Sequence, residues 1–97
     1  MSSASGSYEL LFTSAFLRAA EKFRRSHPQL NSRLARVFSD LQTDPFEPRL
    51  RLHALTGRHT GFSAVSVTYG YRITLTVDSD KRLITLYDIG SHDEVYR

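Results

Sequence analysis

The sequence predicts an α+β domain: a short N-terminal strand, then an antiparallel helix hairpin packed on one face of a mainly antiparallel, twisted sheet. Three observations carry this. Two apolar stripes at helical spacing, Phe16 to Phe23 and Leu30 to Leu41, are separated only by a His27-Pro28 break. Three or four short segments rich in β-branched and aromatic residues follow between Leu50 and Ile89. Helices grouped beside a run of strands place both helices on one face of the sheet.

The elements are read in chain order. Residues 1–7 hold neither a basic region nor an apolar stretch, so they are expected to be a flexible lead-in rather than a signal peptide. The domain is expected to occupy 8–97. Tyr8 to Phe12 reads as a strand with Tyr8, Leu10 and Phe12 on one face. Thr13 or Ser14 can cap the helix that follows, in which Phe16, Leu17, Ala20 and Phe23 form the stripe. His27-Pro28 ends it, because Pro disfavours helical geometry in the residue before it. Pro28 suits the first turn of a second helix, whose stripe is Leu30, Leu34, Val37, Phe38 and Leu41. Asp44-Pro45 closes that helix, and 44–49 is a loop. Leu50 to Leu55 is expected to be a short strand, Thr56 to Gly61 a polar turn, and Phe62 to Tyr69 and Tyr71 to Val77 strands. Asp78 to Lys81 turns the chain into a last strand, Arg82 to Ile89. Gly90 then releases a short C-terminal tail, 91–97.

Composition narrows the function. The 97 residues contain no cysteine, which excludes disulfides and thiolate chemistry and fits a reducing cytoplasm. No apolar run approaches the roughly 20 residues that span a bilayer. The net charge is +3, and eleven of the thirteen basic residues are arginine. Arginine presents a planar fork that matches phosphate geometry, so this bias leans toward nucleic acid, although a solvated arginine-rich surface has the same composition.

Several sources of chemistry are missing. Gly57 to Gly61 is not followed by Gly-Lys-Ser/Thr, so it is no phosphate loop. No metal-ligand spacing occurs, and no nucleophile elbow surrounds a serine. What remains is polar residues on the sheet and tail. Arg72 alternates against Tyr71, Ile73, Leu75 and Val77, so it points away from the apolar face with Thr74 and Thr76. Taken alone it is an ordinary exposed sheet arginine. His92 follows the last strand and His53 precedes the Leu55-Thr56-Gly57 turn. Either is a tail or loop histidine in isolation, or an imidazole able to trade protons near neutral pH. Tyr96 either packs the tail or stacks on a base. His59, between glycines at a hairpin tip, is expected to be non-catalytic.

Together, Leu52-His53-Ala54-Leu55-Thr56-Gly57, Gly61-Phe62, Tyr71-Arg72-Ile73 and Ile89-Gly90-Ser91-His92-Asp93-Glu94-Val95-Tyr96 resemble the RelE/ParE toxin superfamily. The similarity is closest to its YoeB/YafQ-like branch of ribosome-dependent mRNA interferases. It covers most of the chain and is most specific from Pro45 to Arg97. It implies a type II toxin–antitoxin toxin that cuts mRNA in the ribosomal A site without a metal or other cofactor. By position, His92 matches the branch's C-terminal catalytic histidine and Tyr96 an aromatic residue four places later. Arg72 matches a strand arginine of YoeB-like members, and His53 falls where relatives place His or Glu. YafQ-like members carry a further His near Ser66 and an acidic residue near Gly70; this chain has neither.

The implied chemistry suits these residue types. Cleaving RNA through its own 2′-OH requires a base, a cation on the phosphate and an acid for the departing 5′ oxygen. His53, Arg72 and His92 can supply these, with either histidine as base. Arg18, Lys22, Arg24, Arg25, Arg33, Arg36 and Arg58 are expected to meet RNA or the ribosome. Expected partners are a cognate antitoxin, the ribosome and mRNA, and operator DNA through the antitoxin, with no membrane. Two other functions fit the same fold: a ParE-like gyrase poison without nuclease activity, and a non-catalytic RNA-binding module. The two histidines flanking Arg72 favour the nuclease.

Overall fold

A computed structural model describes residues 7–91. The chain begins with β1 (Glu9–Phe12), followed by α1 (Ser14–Ser26) and α2 (Asn31–Thr43). The sheet is completed by β2 (His53–Ala54), β3 (Ser63–Thr68), β4 (Tyr71–Asp78) and β5 (Leu83–Ser91). Its strand order is β1-β5-β4-β3-β2. Only β1 runs parallel to its neighbour, β5; every other pair is antiparallel. The expected α+β architecture, with both helices on one face of the sheet, is what the structure shows.

Thr13 resolves the choice of cap. Its hydroxyl accepts from the Phe16 amide at 3.1 Å and donates to the Leu86 carbonyl at 2.8 Å. One side chain therefore starts α1 and fastens the β1–α1 turn to β5. His27 closes α1, its amide donating to Phe23 O, and a 3-10 turn at Pro28–Leu30 leads into α2. Pro28 thus occupies this turn instead of the first turn of α2 itself.

The core fills the space between helices and sheet. Phe16 and Phe23 come from α1, and Leu34, Val37 and Leu41 from α2. Val65, Val67, Ile73, Leu75, Ile84, Leu86 and Ile89 rise from the sheet to meet them. α1 lies on β5, while α2 crosses from β3 to β1, where Tyr8 N–H bonds to Gln42 O at 2.7 Å. Leu17 departs from the stripe expected of it: it is 56% exposed, because the buried arc of α1 is centred on Phe16 and Phe23.

Two strand boundaries differ from the sequence reading by more than one residue. The expected strand Leu50 to Leu55 shrinks to His53–Ala54. Pro48 opens a 3-10 turn through Leu50, Glu47 caps it by accepting from Arg49 N–H at 3.2 Å, and Leu50 is buried in the core. Arg51 then adopts left-handed geometry, φ 55° and ψ 44°, which no strand tolerates. At the other end β5 continues through Gly90 and Ser91, paired with Arg72 and Tyr71 of β4, so Gly90 does not end the strand.

Candidate functional site

Pairing across the sheet places the candidate side chains. His53 pairs with Ala64, which pairs with Thr74; Ser66 pairs with Arg72, which pairs with Gly90. Directly opposed residues share a face, and alternate residues along a strand share it too. His53, Ser66, Arg72 and Thr74 therefore all belong to the face away from the helices. At about 4.8 Å between strands and 3.3 Å per residue, the Cα atoms of His53 and Arg72 lie about 12 Å apart. The structure puts them on one face, two strands apart.

The His53 ring contacts the backbone two residues before it. Its Nδ1 lies 2.9 Å from the Arg51 carbonyl. A carbonyl only accepts, so a neutral His53 carries its hydrogen on Nδ1 and its lone pair on Nε2.

Arg72 is held at the β3–β4 turn. Its Nη1 donates to Thr68 O at 3.3 Å and Tyr69 O at 3.2 Å, and its Nε is buried without a hydrogen-bond partner. Among the described residues no carboxylate pairs with it. Among the described residues the guanidinium thus has spare donors beside a cleft of about 420 Å³.

This cleft lies between α2, the 3-10 turn at Pro48–Leu50 and the outer edge of β3. Five arginines line it: Arg33, Arg36, Arg49, Arg51 and Arg72. Its one carboxylate, Asp40, is engaged by Arg49 at 3.2 Å, and Arg49 also approaches Glu47 at 3.6 Å. Arg33 reaches the Val67 carbonyl only at 3.5 Å, and Arg36 and Arg51 form no ion pair among the described residues. The cleft therefore carries a large positive excess, which attracts anions.

The cleft exists because the β2–β3 ladder stops early. Leu55 N–H bonds to Phe62 O, so the backbone groups of Phe62 and Ala64 face β2. By the same alternation those of Ser66 face outward. Their natural partner would be Arg51, whose left-handed backbone turns the chain away. A bulge between Ser66 and Thr68 breaks the edge further.

The predicted basic set divides. Arg33 and Arg36 line the cleft with Arg72. Arg18, Lys22, Arg24 and Arg25 are exposed along α1, where Arg25 pairs with Glu21 at 3.1 Å, and Arg58 sits on the turn at Gly57–His59. Lys22 borders a smaller cavity of about 210 Å³ near the mutually tilted rings of Phe23, His27 and Tyr71. His59, in the β2–β3 connection, is not among the cleft-lining residues. His92 and Tyr96 lie outside the described residues. Arg49, Arg51 and Tyr69 were not singled out from the sequence, although Tyr69 is 96% exposed on the cleft's rim. The signals available were the Pro48-Arg49-Leu50-Arg51 alternation, which reads equally as a strand, and the Tyr69-Gly70 pair.

Neither a comparison with family models nor one with curated protein sequences finds a match. Comparison with solved structures does. YafQ from E. coli strain BL21(DE3) superposes with a TM-score of 0.76 at 14% identity, covering 93% of this chain and 99% of that one. A chain of the RelBE2 toxin–antitoxin complex from Mycobacterium tuberculosis gives 0.71 at 18% identity, over 89% and 92%. A YoeB/ParE toxin from Agrobacterium tumefaciens gives 0.71 at 15%, over 87% and 98%. At these identities the likeness concerns architecture, and on that ground the chain has the RelE/ParE toxin fold, of the YafQ-like kind.

Proposed function

We propose that this protein, as one domain over 8–97, is the toxin of a type II toxin–antitoxin pair and a ribosome-dependent endoribonuclease that cuts mRNA in the A site. One observation carries the reading: His53, whose Nδ1 lies 2.9 Å from the Arg51 carbonyl, and Arg72, which no carboxylate among the described residues pairs with, share one sheet face beside a cleft lined with arginines. In this reading one histidine takes the 2′-OH proton, the freed oxygen attacks the adjacent phosphorus, and the 5′ oxygen leaves with a proton from the second histidine. The phosphorane charge falls to Arg72. His92, one peptide bond after Ser91 of β5, is the proposed partner of His53, and Tyr96 an aromatic contact for the substrate. No metal enters this scheme. The ribosome supplies much of the positioning, as suits a small protein acting on a long message.

The cognate antitoxin is the proposed second partner. Leu11, Phe12 and Leu17 remain exposed at β1 and the first turn of α1, and β1 is an edge strand. A partner helix or added strand would cover them. Through it the toxin would reach operator DNA. The proposed setting is the cytoplasm; among the described residues no helix is long and apolar enough to cross a membrane.

The test is induction without an antitoxin, with pulse labelling and primer extension on a translated message. Translation should stop, with cuts at A-site positions that vanish when the message is untranslated. Intact protein synthesis with stalled gyrase would replace this reading with the poison, and efficient cutting of naked RNA at the same positions would refute ribosome dependence.

A further inference from the structure

We infer that the cleft between α2 and the free edge of β3 is a single-stranded RNA subsite. In it Arg33, Arg36 and Arg51 hold a phosphodiester, and Tyr69 stacks on the neighbouring base. The inference rests on the RNA-handling reading of the site, gives Arg33 and Arg36 a specific role within it, and adds Arg51 and Tyr69, which that reading did not name.

Three independent features converge there. The first is charge: Arg36 and Arg51 project toward the cleft without an ion pair among the described residues, and Arg33 has only a long contact to Val67 O. Guanidinium groups bind phosphate oxygens bidentately. The second is the exposed edge of β3 at Ser66, whose backbone N–H adds a neutral donor. The third is Tyr69. A tyrosine 96% exposed at a turn contributes almost nothing to the core. Its backbone is nonetheless pinned: Arg72 Nη1 donates to its carbonyl, and Gly70 N–H donates to Thr68 Oγ1 at 3.3 Å. A held backbone carrying an uncovered ring at the rim of a basic cleft is a stacking platform.

The geometry selects the ligand class. An acidic peptide adding as a strand needs a regular edge of several residues, whereas the free edge here runs only from Ser66 to Thr68 and is broken by the bulge. A phosphate needs only convergent donors. Duplex RNA would leave Tyr69 without an accessible base face. The volume, about 420 Å³, lies within the range of sites that enclose a small ligand or a short piece of a chain.

The experiment measures binding apart from cleavage. The full chain is titrated into a fluorescent single-stranded hexanucleotide carrying 2′-O-methyl groups, which cannot be cut, at several salt concentrations. Tyr69→Ala should weaken binding about 5- to 150-fold, the range of one stacked base, and Tyr69→Phe should restore it. Arg36→Ala should flatten the dependence of log affinity on log salt by about 0.7, the loss of one phosphate contact on a single strand. Both positions are exposed, so thermal melting should not change. Wild-type failure to bind, variants that bind like the wild type, equal affinity for a duplex of the same sequence, or displacement by a glutamate-rich peptide at equal affinity would each overturn the subsite. Binding through these residues without any cleavage of messages sinks the nuclease reading and leaves the subsite standing. Cleavage that persists unchanged in a Tyr69→Ala protein that binds normally does the reverse.

Discussion

Replacing Arg51 by glycine should make the protein more stable and less able to bind RNA. Arg51 holds φ 55° and ψ 44°, where a side chain's Cβ crowds the following carbonyl. For a non-glycine residue this geometry costs about 1–2 kcal/mol. Glycine removes that cost but loses about 0.5–1 kcal/mol through its greater freedom in the unfolded chain. The Arg51 side chain is exposed and forms no ion pair among the described residues, and its N–H to Pro48 O bond is independent of side chain. The net gain is therefore about 0.5–1 kcal/mol, which in a domain of this size raises Tm by roughly 2–8 °C. Arg82 provides the comparison. It has the same φ of 55° but lies outside the cleft, and it stands over the Tyr8 ring at 5.6 Å. Arg82→Gly gains the same relief and loses a cation–π contact of about 0.5–1 kcal/mol, so its stability should hardly move and its RNA binding not at all. Thermal melting by circular dichroism and titration with the uncleavable hexanucleotide measure both quantities. If Arg51→Gly melts several degrees lower, or binds RNA as well as Arg82→Gly, the argument that strain at Arg51 is kept for the cleft is wrong.

Arg72→Ala should reduce ribosome-dependent cleavage about 100- to 1,000-fold, the usual loss when one transition-state donor is removed, whereas His59→Ala should cut normally; the reverse ranking in a primer-extension assay would misplace the site. Thr13→Ala loses both the cap on α1 and the bond to Leu86 O, about 2 kcal/mol together, and should melt roughly 10 °C lower. A change under 2 °C would mean that the β1–α1 turn is held by something else. Leu17→Glu alters a side chain that is 56% exposed. It should leave melting unchanged and weaken a co-encoded antitoxin, which calorimetry on the purified pair would reveal; undiminished affinity would move the antitoxin surface elsewhere.

Periodicity made the two helices and the long strands legible, because each buries one continuous face: Phe16 with Phe23, Leu34 with Val37 and Leu41, Ile73 with Leu75. The Thr13 cap was legible as one of two candidates. The segment after α2 was not. In Arg49-Leu50-Arg51-Leu52 the alternation of charge and leucine mimics a half-buried strand, and only tertiary packing shows that Leu50 enters the core from a 3-10 turn. That misreading hid Arg51, since a strand would have directed it to open solvent, while Arg49 was read into the preceding loop, 44–49. Tyr69 was absorbed into a strand for the same reason: its aromatic character suits a sheet, and the one local sign that the ladder ends at Thr68 is the Gly70 that follows it. Arg72 and His53 were found by residue type and position, while their shared face depends on the register of three strands that no single segment encodes.

Most of the irregularities of this sheet fall at its β2–β3 edge, and that placement argues for function. β1, β5 and β4 form a long ladder with one register shift, between Thr74 and Leu75, and the side chains lining its helix-facing surface belong to the core. At the other edge β2 is two residues long, Arg51 is left-handed, and β3 is bulged at Val67. Each departure costs pairing or conformational energy that a regular hairpin would have kept. Continued by two more residues, β2 would have laid Arg51 against Ser66, satisfied the β3 edge and closed the cleft. Instead the chain leaves the sheet there, crowds five arginines around the opening and offers a bare aromatic ring at its rim. Folding alone does not favour gathering like charges. A ligand whose negative charge offsets theirs does, and the phosphate backbone of RNA has that charge at the spacing of successive nucleotides.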